Sequence, residues 1–326
     1  MAKVGFKVDG ETKIRSDNIN TLSRRDLIRT GGAGALAGVG LALADTAASA
    51  QERARTVNVD RHAAKTPFPL NAYVVEGENG LVVVDAMLTN TASRELRARV
   101  NGFGKPLRAV LLTHPHPDHY AGLGNLTEGL DIPIVSVAEI NDIARRDDAK
   151  KDAVISGMFG EEWPRNRVFP NDTVGDGDTL DFGPGLRFTV MDVGPAESFH
   201  DSIFVLEGAT PAAFVGDLVY PFMHPYMADN TNPEWKRAIG RLRSELPEDM
   251  ILHVGHGLPA TPAFLAWQEA YLDRFEAALQ AADWSDPEAA QAAVVTDMTA
   301  FLPSDELLFF LKQSIVPNAR RLGLAR

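Results

Sequence analysis

The sequence contains no cysteine among its 326 residues. Disulfide scaffolds, thiolate nucleophiles and thiolate metal sites are therefore excluded, and any bound metal must be held by His, Asp or Glu. Basic residues are also in deficit, because 32 Lys and Arg stand against 44 Asp and Glu, for a formal net charge of −12. This acidic balance argues against nucleic acid or an anionic membrane surface as the main partner.

The composition also lacks the bias of disordered, collagen-like or coiled-coil proteins. Hydrophobic residues make up 45% of the chain and charged residues 23%, close to the globular average. The length allows one large domain or two modest ones. The sequence is therefore that of an ordinary folded protein with a sizeable core.

Two adjacent arginines, Arg24 and Arg25, precede a weakly hydrophobic run at residues 31–44 and a small-residue stretch at 48–50. This order resembles a twin-arginine export signal with its cleavage site. An amphipathic helix or a membrane anchor is the alternative, but a spanning helix needs about 20 strongly apolar residues. We expect residues 1–50 to direct export through the twin-arginine translocase, to the periplasm or beyond, without a stable membrane anchor.

Strand and helix patterns alternate along residues 51–326. Two β-rich runs, 71–75 and 81–85, flank an Asn-Gly turn and predict a hairpin. An amphipathic helix is predicted at 89–101 and a buried strand at 107–112. Further strands are predicted at 132–137, 186–193, 203–206, 212–215 and 251–254, and helices at 138–158, 264–282, 287–295 and 304–316. The order favours two sheets packed face to face with helices outside, rather than two separable domains.

Three of the eight histidines, His114, His116 and His119, fall within six residues and enclose Asp118. They follow the predicted strand 107–112. Side chains alternate in an extended segment, so His114 and His116 are expected on the same side of the chain. The turn that follows can direct Asp118 and His119 toward a second point a short distance away. Alternating prolines stiffen the loop, so less entropy is lost when a metal binds. A lone histidine is usually structural, but this cluster indicates a segment that supplies two metals.

These residues spell H-x-H-x-D-H, and the chain thereby resembles the metallo-β-lactamase superfamily. Other landmarks follow in the same order. Asp217, after strand 212–215, resembles the aspartate that bridges two metals, and His256, in Gly-His-Gly, resembles the last histidine ligand. Asp85 matches an early aspartate that orients a ligand histidine. The resemblance implies one hydrolase domain over residues 51–326 with an α/β fold, the four-layer αββα sandwich.

The resemblance also implies two divalent metal ions, zinc or, with a carboxylate-rich shell, manganese or iron(II). It implies that Asp118 is catalytic as well, orienting water and passing a proton to the leaving group. The implied metal ligands are His114, His116, Asp118, His119, Glu197, Asp217 and His256.

One landmark departs from the family pattern. Where relatives commonly carry Gly-His-Ser or Gly-His-Thr, this chain reads Gly194-Pro-Ala-Glu197, with His200 three residues later. Alignment favours Glu197 as the ligand, and His200 is the alternative, since carboxylate and imidazole both bind zinc. A glutamate at this position resembles the alkylsulfatase branch of the superfamily. A Ser198–His200 nucleophile pair is disfavoured because no Gly-x-Ser-x-Gly elbow surrounds it.

The resemblance implies an exported hydrolase whose partner is a small-molecule substrate. A hydroxide bridging the two metals would cleave a small ester, lactone or amide. The alternatives are a β-lactamase, an alkylsulfatase-like sulfate-ester hydrolase, a mononuclear iron dioxygenase and a non-catalytic periplasmic binding module. The dioxygenase would use His114, His116 and Asp217 alone.

The substrate side of the site is less distinct in sequence. Aromatic residues and methionines at 220–227 predict either an apolar pocket or a packed loop, in which His224 is expected to bond within the loop. No Lys or Arg occurs from 201 to 234, so a substrate carboxylate would need Lys236, Arg237 or another base. Four basic residues of helix 138–158 are expected on its solvated face: Arg145, Arg146, Lys150 and Lys151.

Overall fold

The computed structural model describes residues 57–208 and 211–326. Within them the chain forms two mixed β-sheets covered by helices. The proposed export signal, residues 1–50, lies outside the described residues, and export stays a prediction. Among the described helices, none has the length and apolar character that crossing a bilayer requires.

The first sheet has six strands in sequence order. The pairs β1–β2 and β2–β3 are antiparallel, and the pairs from β3 to β6 are parallel. The predicted hairpin is confirmed as β2–β3, with Tyr73 opposite Val84. The first strand, which sequence patterning did not indicate, is a largely polar edge strand. The strands are β1 (Asn58–Ala64), β2 (Leu70–Glu76), β3 (Leu81–Val84), β4 (Leu107–Leu111), β5 (Ile134–Val137) and β6 (Asp172–Val174).

The second sheet has five strands in the order β11-β10-β9-β8-β7. Only the β10–β11 pair is parallel, and the other neighbours are antiparallel. The strands are β7 (Thr179–Asp181), β8 (Arg187–Gly194), β9 (Asp201–Leu206), β10 (Ala212–Gly216) and β11 (Ile251–Val254).

The helices agree with the sequence pattern in most places. The helix at Asn232–Glu245 was not predicted, and the last helix begins at Leu308 rather than at residue 304. The helices are α1 (Asn90–Gly102), α2 (Pro117–Tyr120), α3 (Leu123–Leu126), α4 (Ala138–Phe159), α5 (Asn232–Glu245), α6 (Ala263–Ala281), α7 (Pro287–Phe301) and α8 (Leu308–Arg321).

The two sheets pack against each other through their inner faces. Tyr73 of β2 lies edge-on to Phe214 of β10, with ring centroids 5.5 Å apart, and donates a hydrogen bond to the carbonyl of Val254. Every residue of β3 is buried, so both faces of the first sheet are covered. Helix α1 buries Leu96 in the core of the first sheet, and α5 buries Trp235 in that of the second. The αββα sandwich is confirmed.

The sheet topology brings several loops to one edge. Strands β10 and β11 are parallel, so the residues that follow them, Asp217 and His256, emerge at the same end. The loop after β4 reaches the second sheet, since Ser202 N donates to the carbonyl of Thr113 at 2.9 Å. The candidate ligands therefore meet where the two sheets share an edge.

Candidate metal centre

Ligand-type side chains from these loops form two groups that share Asp217. In each group the potential ligand atoms all lie within 4.8 Å of one another. The structure thus brings together every site residue suggested by the sequence, and it places Glu197 rather than His200 among them. The first group is His114, His116, Glu197 and Asp217, and the second is Asp118, His119, Asp217 and His256.

The first group is centred on two carboxylates. His114 Nε2 lies 3.8 Å from both Glu197 Oε2 and Asp217 Oδ2. His116 Nδ1 lies 3.1 Å from the same Glu197 oxygen. Two imidazoles and two carboxylates therefore face one point, a ligand set that zinc, manganese and iron(II) all accept.

The second group lies beside the first. His256 Nε2 is 3.3 Å from Asp118 Oδ2 and 3.1 Å from Asp217 Oδ2. His119 Nε2 is 3.6 Å from Asp118 Oδ2 and 3.4 Å from Asp217 Oδ1. Asp217 therefore faces both groups, because its Oδ2 lies near His114 and His256 and its Oδ1 lies near His119.

The atoms that face the centre are buried and have no hydrogen-bond partner among the described residues. Buried polar atoms are normally paired, because leaving one unpaired costs free energy. Five such atoms at one place fit a divalent cation, which accepts the lone pairs that no donor satisfies. They are Nε2 of His114, His119 and His256, Oε2 of Glu197 and Oδ1 of Asp217.

The histidine rings are oriented from behind. His119 Nδ1 lies 2.9 Å from Asp85 Oδ2, and His114 Nδ1 lies 3.0 Å from Thr113 Oγ1. His256 Nδ1 bonds to the carbonyl of Pro69. In each ring the bonded Nδ1 leaves Nε2 directed at the centre, the arrangement by which outer partners orient a metal ligand. The predicted orienting contact of Asp85 is present.

Two glycines allow the backbone to approach the centre. A Cβ at Gly255 would lie 1.9 Å from Asp217 Oδ1 and 2.7 Å from His119 Cε1. Gly216 has a φ of +52°, a left-handed conformation that glycine adopts without strain. These positions hold the loops after β10 and β11 close to the ligands.

Burial and mutual charge set the protonation of the cluster. Burial raises the pKa of the Glu197 carboxyl to about 8. Burial opposes protonation of His256, but the Asp217 and Asp118 carboxylates outweigh it and raise the pKa of that imidazole to about 10. A bound cation would take the place of these protons, because it compensates the buried carboxylates directly.

Tyr220 joins the two groups, a role that the sequence did not reveal. Its hydroxyl lies 3.0 Å from Glu197 Oε1 and 2.7 Å from Asp217 Oδ2. Its ring stacks on His256, with centroids 5.2 Å apart. The residue stood out in sequence only as part of an aromatic run, and its contact with two carboxylates depends on the loop after β10.

Asp229 was also missed. Its Oδ2 lies 3.0 Å from His116 Nε2, on the side of the ring opposite Glu197. No motif surrounds Asp229, which precedes α5, so only the three-dimensional structure connects it with His116.

His200 lies outside both metal groups. Its Nε2 is 2.8 Å from Asp192 Oδ1, and the pair is near Glu139. Ser198 Oγ lies 2.9 Å from the backbone carbonyl of His200 and 3.0 Å from Asp201 Oδ2, not against the His200 ring. The geometry therefore supports neither His200 in the first group nor a Ser198–His200 pair.

A cavity of about 570 Å³ opens beside the centre and is lined by His116, Asp118 and Asp217. Tyr220 and Tyr226 also line it, so the predicted apolar pocket is present in part. The same run also contains a packed segment. His224 lies 2.6 Å from the Tyr271 hydroxyl and 2.9 Å from the Ser304 carbonyl, so it ties its loop to other elements, and the predicted bond within the loop was wrong.

The cations near the cavity are not those that the sequence suggested. Lys150 and Lys151 of α4 both line it; Lys150 is exposed, as predicted, but Lys151 is half-buried, so its assignment to the solvated face was wrong. Lys151 Nζ donates to the carbonyl of Pro115 in the ligand loop at 2.8 Å. Lys236 and Arg237 instead pair with acidic neighbours, Lys236 with Asp273 and Arg237 with Glu234, and neither lines this cavity.

Comparisons with known proteins agree with this geometry. The model of the metallo-β-lactamase superfamily matches residues 66–260. The uncharacterized protein YobT of Bacillus subtilis is 28% identical over 201 residues, which cover 58% of this chain and 84% of YobT. A probable metallo-hydrolase of Streptococcus pyogenes is 32% identical over 69 residues, covering 21% of this chain and 28% of that protein. A β-lactamase domain protein from Burkholderia ambifaria shares the fold, with a TM-score of 0.60 and 19% identity over 82% of this chain and 86% of that one.

Proposed function

Since the chain belongs to the metallo-β-lactamase superfamily and is a metallo-hydrolase, we propose that it holds two divalent ions and hydrolyses a small, neutral ester, lactone or amide. The observation that carries this proposal is the convergence of seven ligand-type side chains in two groups around Asp217. The imidazoles of both groups suit zinc. The carboxylate of Glu197 allows the first group to bind manganese or iron(II) as well.

Ions bound at the two groups supply hydroxide from water at neutral pH and a Lewis acid for the substrate carbonyl. The protein's part is to place the groups that act around them. Asp118 lines the cavity and lies beside His256. Burial opposes ionisation of Asp118, but His119 and His256 hold its pKa below the usual value, so the carboxylate is available to orient water.

Tyr220 supports the same reaction from behind. Its hydroxyl can donate to Glu197 or to Asp217, which fixes the orientation of carboxylates from both groups. Burial raises the pKa of Tyr220 well above its usual value, and the carboxylates raise it further, so the hydroxyl keeps its proton. Glu197 Oε2 and Asp217 Oδ1 have no hydrogen-bond partner among the described residues, so these oxygens stay available to a cation.

The second group favours hydrolysis over the dioxygenase alternative. A mononuclear site of His114, His116 and Asp217 would leave Asp118, His119 and His256 without a function. These three residues are buried, and their possible ligand atoms lie within 4.8 Å of one another and of Asp217. The completeness of both groups likewise disfavours a binding module that has lost catalysis.

Metal analysis and a substrate panel test the proposal. We expect two zinc, manganese or iron(II) ions per chain, hydrolysis of simple esters, lactones or amides, loss of activity on chelation and recovery when metal is restored. One iron per chain with oxygen uptake would instead support the dioxygenase. Turnover confined to β-lactams or alkyl sulfates would redirect the substrate assignment, and full activity after exhaustive chelation would contradict metal catalysis.

We also propose that the protein is exported by the twin-arginine translocase. The proposal rests on Arg24 and Arg25 ahead of a glycine- and alanine-rich run. Changing both residues, as Arg24→Lys with Arg25→Lys, should retain the precursor in the cytoplasm, as measured by fractionation and immunoblotting. Unaltered export of this variant would overturn the assignment.

A further inference from the structure

One wall of the cavity beside the metal centre is a single face of α4. Near the carboxyl end of the helix, the apolar side chains on this wall form two i,i+4 pairs, Val154 with Met158 and Ile155 with Phe159, which lie next to each other. They form an apolar strip along the helix. The strip consists of Val154, Ile155, Met158 and Phe159, and Lys150 and Lys151 separate it from Ile143, which also lines the cavity.

A second wall of the cavity is aromatic and reaches the metal ligands. Phe310 of α8 lies 5.7 Å from the His256 ring and 5.5 Å from the Tyr226 ring, centroid to centroid. Phe68 lies 5.8 Å from the same His256 ring and 5.4 Å from Phe310. A molecule lying against these rings therefore passes directly from apolar surface to the metal centre.

The mouth of the cavity exposes large apolar side chains to water. Val154 is 64% exposed and Met158 62%, although both line the cavity, and Phe199 and Phe309 are 44% and 41% exposed. A cluster of exposed apolar side chains around a concavity marks a binding groove, because covering it with another apolar surface is favourable. The ligand that fits this mouth is itself apolar.

Resting on the proposed hydrolase function, we propose that the substrate is an ester or lactone with an extended, unbranched apolar chain. The reacting carbonyl lies near His116, Asp118 and Asp217, which line one part of the cavity. The chain lies between α4 and the aromatic wall, and its far end covers Val154 and Met158. The walls thus select for chain length, while the metal centre selects for the hydrolysable bond.

A series of 4-nitrophenyl esters tests the chain preference on the metal-loaded, full-length protein. Butanoate, hexanoate and octanoate share a leaving group and differ only in methylene groups. Each methylene buried in the transition state is expected to raise kcat/KM by about fourfold. An equal kcat/KM across the series would overturn the chain proposal and leave ester hydrolysis intact.

A pair of variants on α4 locates the chain. Met158→Asp places a carboxylate at the cavity mouth, and Ala153→Asp places one on the same helix at an exposed position outside the cavity lining. We expect Met158→Asp to lower the octanoate-to-butanoate ratio of kcat/KM at least about tenfold, with metal content unchanged. Ala153→Asp should keep the wild-type ratio. Equal ratios in the two variants would contradict the placement.

Binding of 1-octanol, measured by calorimetry, separates this proposal from the hydrolase function. This alcohol has no bond to hydrolyse, and burial of its chain should give a negative heat-capacity change. We expect binding to the wild type and to Ala153→Asp, and at least about tenfold weaker binding to Met158→Asp. If octanol binds in this pattern but no ester is cleaved, the chain site stands and the hydrolase proposal fails. If esters are cleaved but octanol binds all three proteins equally, the chain site fails.

Discussion

Each histidine of the centre has a second partner that fixes its ring. For His119 the partner is Asp85, and for His116 it is Asp229, at 2.9 and 3.0 Å. A carboxylate in this position makes the imidazole a stronger donor to metal and prevents the ring from turning. A substitution of Asp229 is easier to interpret than one of Asp85, because Asp85 also accepts hydrogen bonds from Thr113 and supports the ligand loop.

Asp229→Asn should weaken the centre without unfolding the protein. An amide keeps the size of the side chain but removes the charge that holds His116, and such changes typically cost ten- to a hundredfold in metal affinity or activity, so we expect a loss of about that size. The measurements are metal affinity by competition with a chelator, and kcat and KM. Asp192→Asn is the matched control, since Asp192 pairs with His200 outside the centre. Similar losses in both variants would argue against a specific role for Asp229.

Glu197→Gln and His200→Gln distinguish the two candidates for the first group. Glu197 Oε2 lies 3.1 Å from His116 Nδ1, whereas His200 is bonded to Asp192. We therefore expect Glu197→Gln to lose about half of the bound metal and most of the activity, and His200→Gln to keep both. Metal content by elemental analysis and kcat/KM are the measurements. A larger loss in His200→Gln than in Glu197→Gln would assign the ligand role to His200.

Sequence reasoning found the converging side chains most readily where the proposed ligands follow strands. The H-x-H-x-D-H loop, Asp217 and His256 each come directly after a strand, and strand ends converge at a sheet edge. Tyr220 and Asp229 lie within loops whose paths no spacing encodes. Lys151 was misplaced for a different reason: helical periodicity identifies the faces of α4, but it does not show which face meets a cavity.

At the scale of elements, the ends of β10 and β11 are fixed to each other by backbone contacts. Gly255 N donates to the carbonyl of Gly216 at 2.7 Å, and Asn71 N donates to the carbonyl of Gly255 at 2.7 Å. Gly255 therefore connects β11 to both sheets just before His256. A side chain at this position would displace Asp217 or His119 rather than the strand itself.

Gly255→Ala should disturb the centre while the sheets persist. The added Cβ would lie 1.9 Å from Asp217 Oδ1, far inside contact distance. We expect kcat/KM and metal content to fall at least about tenfold, with an unchanged far-ultraviolet circular dichroism spectrum. Gly240→Ala in α5 is the control, because a Cβ there meets nothing within 4 Å and a helical Gly→Ala change stabilises by roughly 0.5–1 kcal/mol. Full metal content in Gly255→Ala would contradict the steric argument.

The link between β8 and the loop before β9 predicts a pH dependence of stability. Burial opposes protonation of His200, but its hydrogen bond to Asp192 outweighs this and raises the pKa of the imidazole. The folded state therefore keeps this proton to higher pH than the unfolded state does. The stabilisation is complete below the unfolded pKa of about 6.5 and is lost as pH rises through the folded pKa.

His200→Gln should remove that part of the pH dependence. We expect the free energy of unfolding of the wild type to decrease relative to that of the variant as pH rises above about 6.5. Urea denaturation of the metal-loaded proteins at a series of pH values gives the comparison. A constant difference between the two proteins at every pH would rule out a charged His200–Asp192 pair.

Most elements were predictable because their hydrophobic pattern matches their period. Helix α5 was not predicted, although Trp235, Ile239 and Leu242 recur on its buried face. Charged residues dominate the rest of that helix and conceal the stripe. Strand β1 was missed because an edge strand needs little apolar surface, and its residues are mostly polar or half-buried.

At the scale of the whole molecule, the metal centre connects the two sheets. The ligands His114 to His119 follow β4 of the first sheet, and Asp217 and His256 follow strands of the second. Metal binding therefore stabilises the arrangement of both sheets, and not only that of one loop. Without a cation, several carboxylates are buried close together at this place, and their desolvation and mutual repulsion destabilise the folded state.

Removal of the metal should consequently lower the melting temperature. At a free metal concentration about a thousandfold above Kd, binding stabilises the folded state by about 4 kcal/mol. For a domain of this size that corresponds to a shift of roughly ten degrees, measured by calorimetry with and without chelator. Asp217→Ala, which removes the carboxylate common to both groups, should make the melting temperature nearly insensitive to metal. Equal melting temperatures for metal-loaded and chelated wild type would show that the two sheets hold this edge together without a cation.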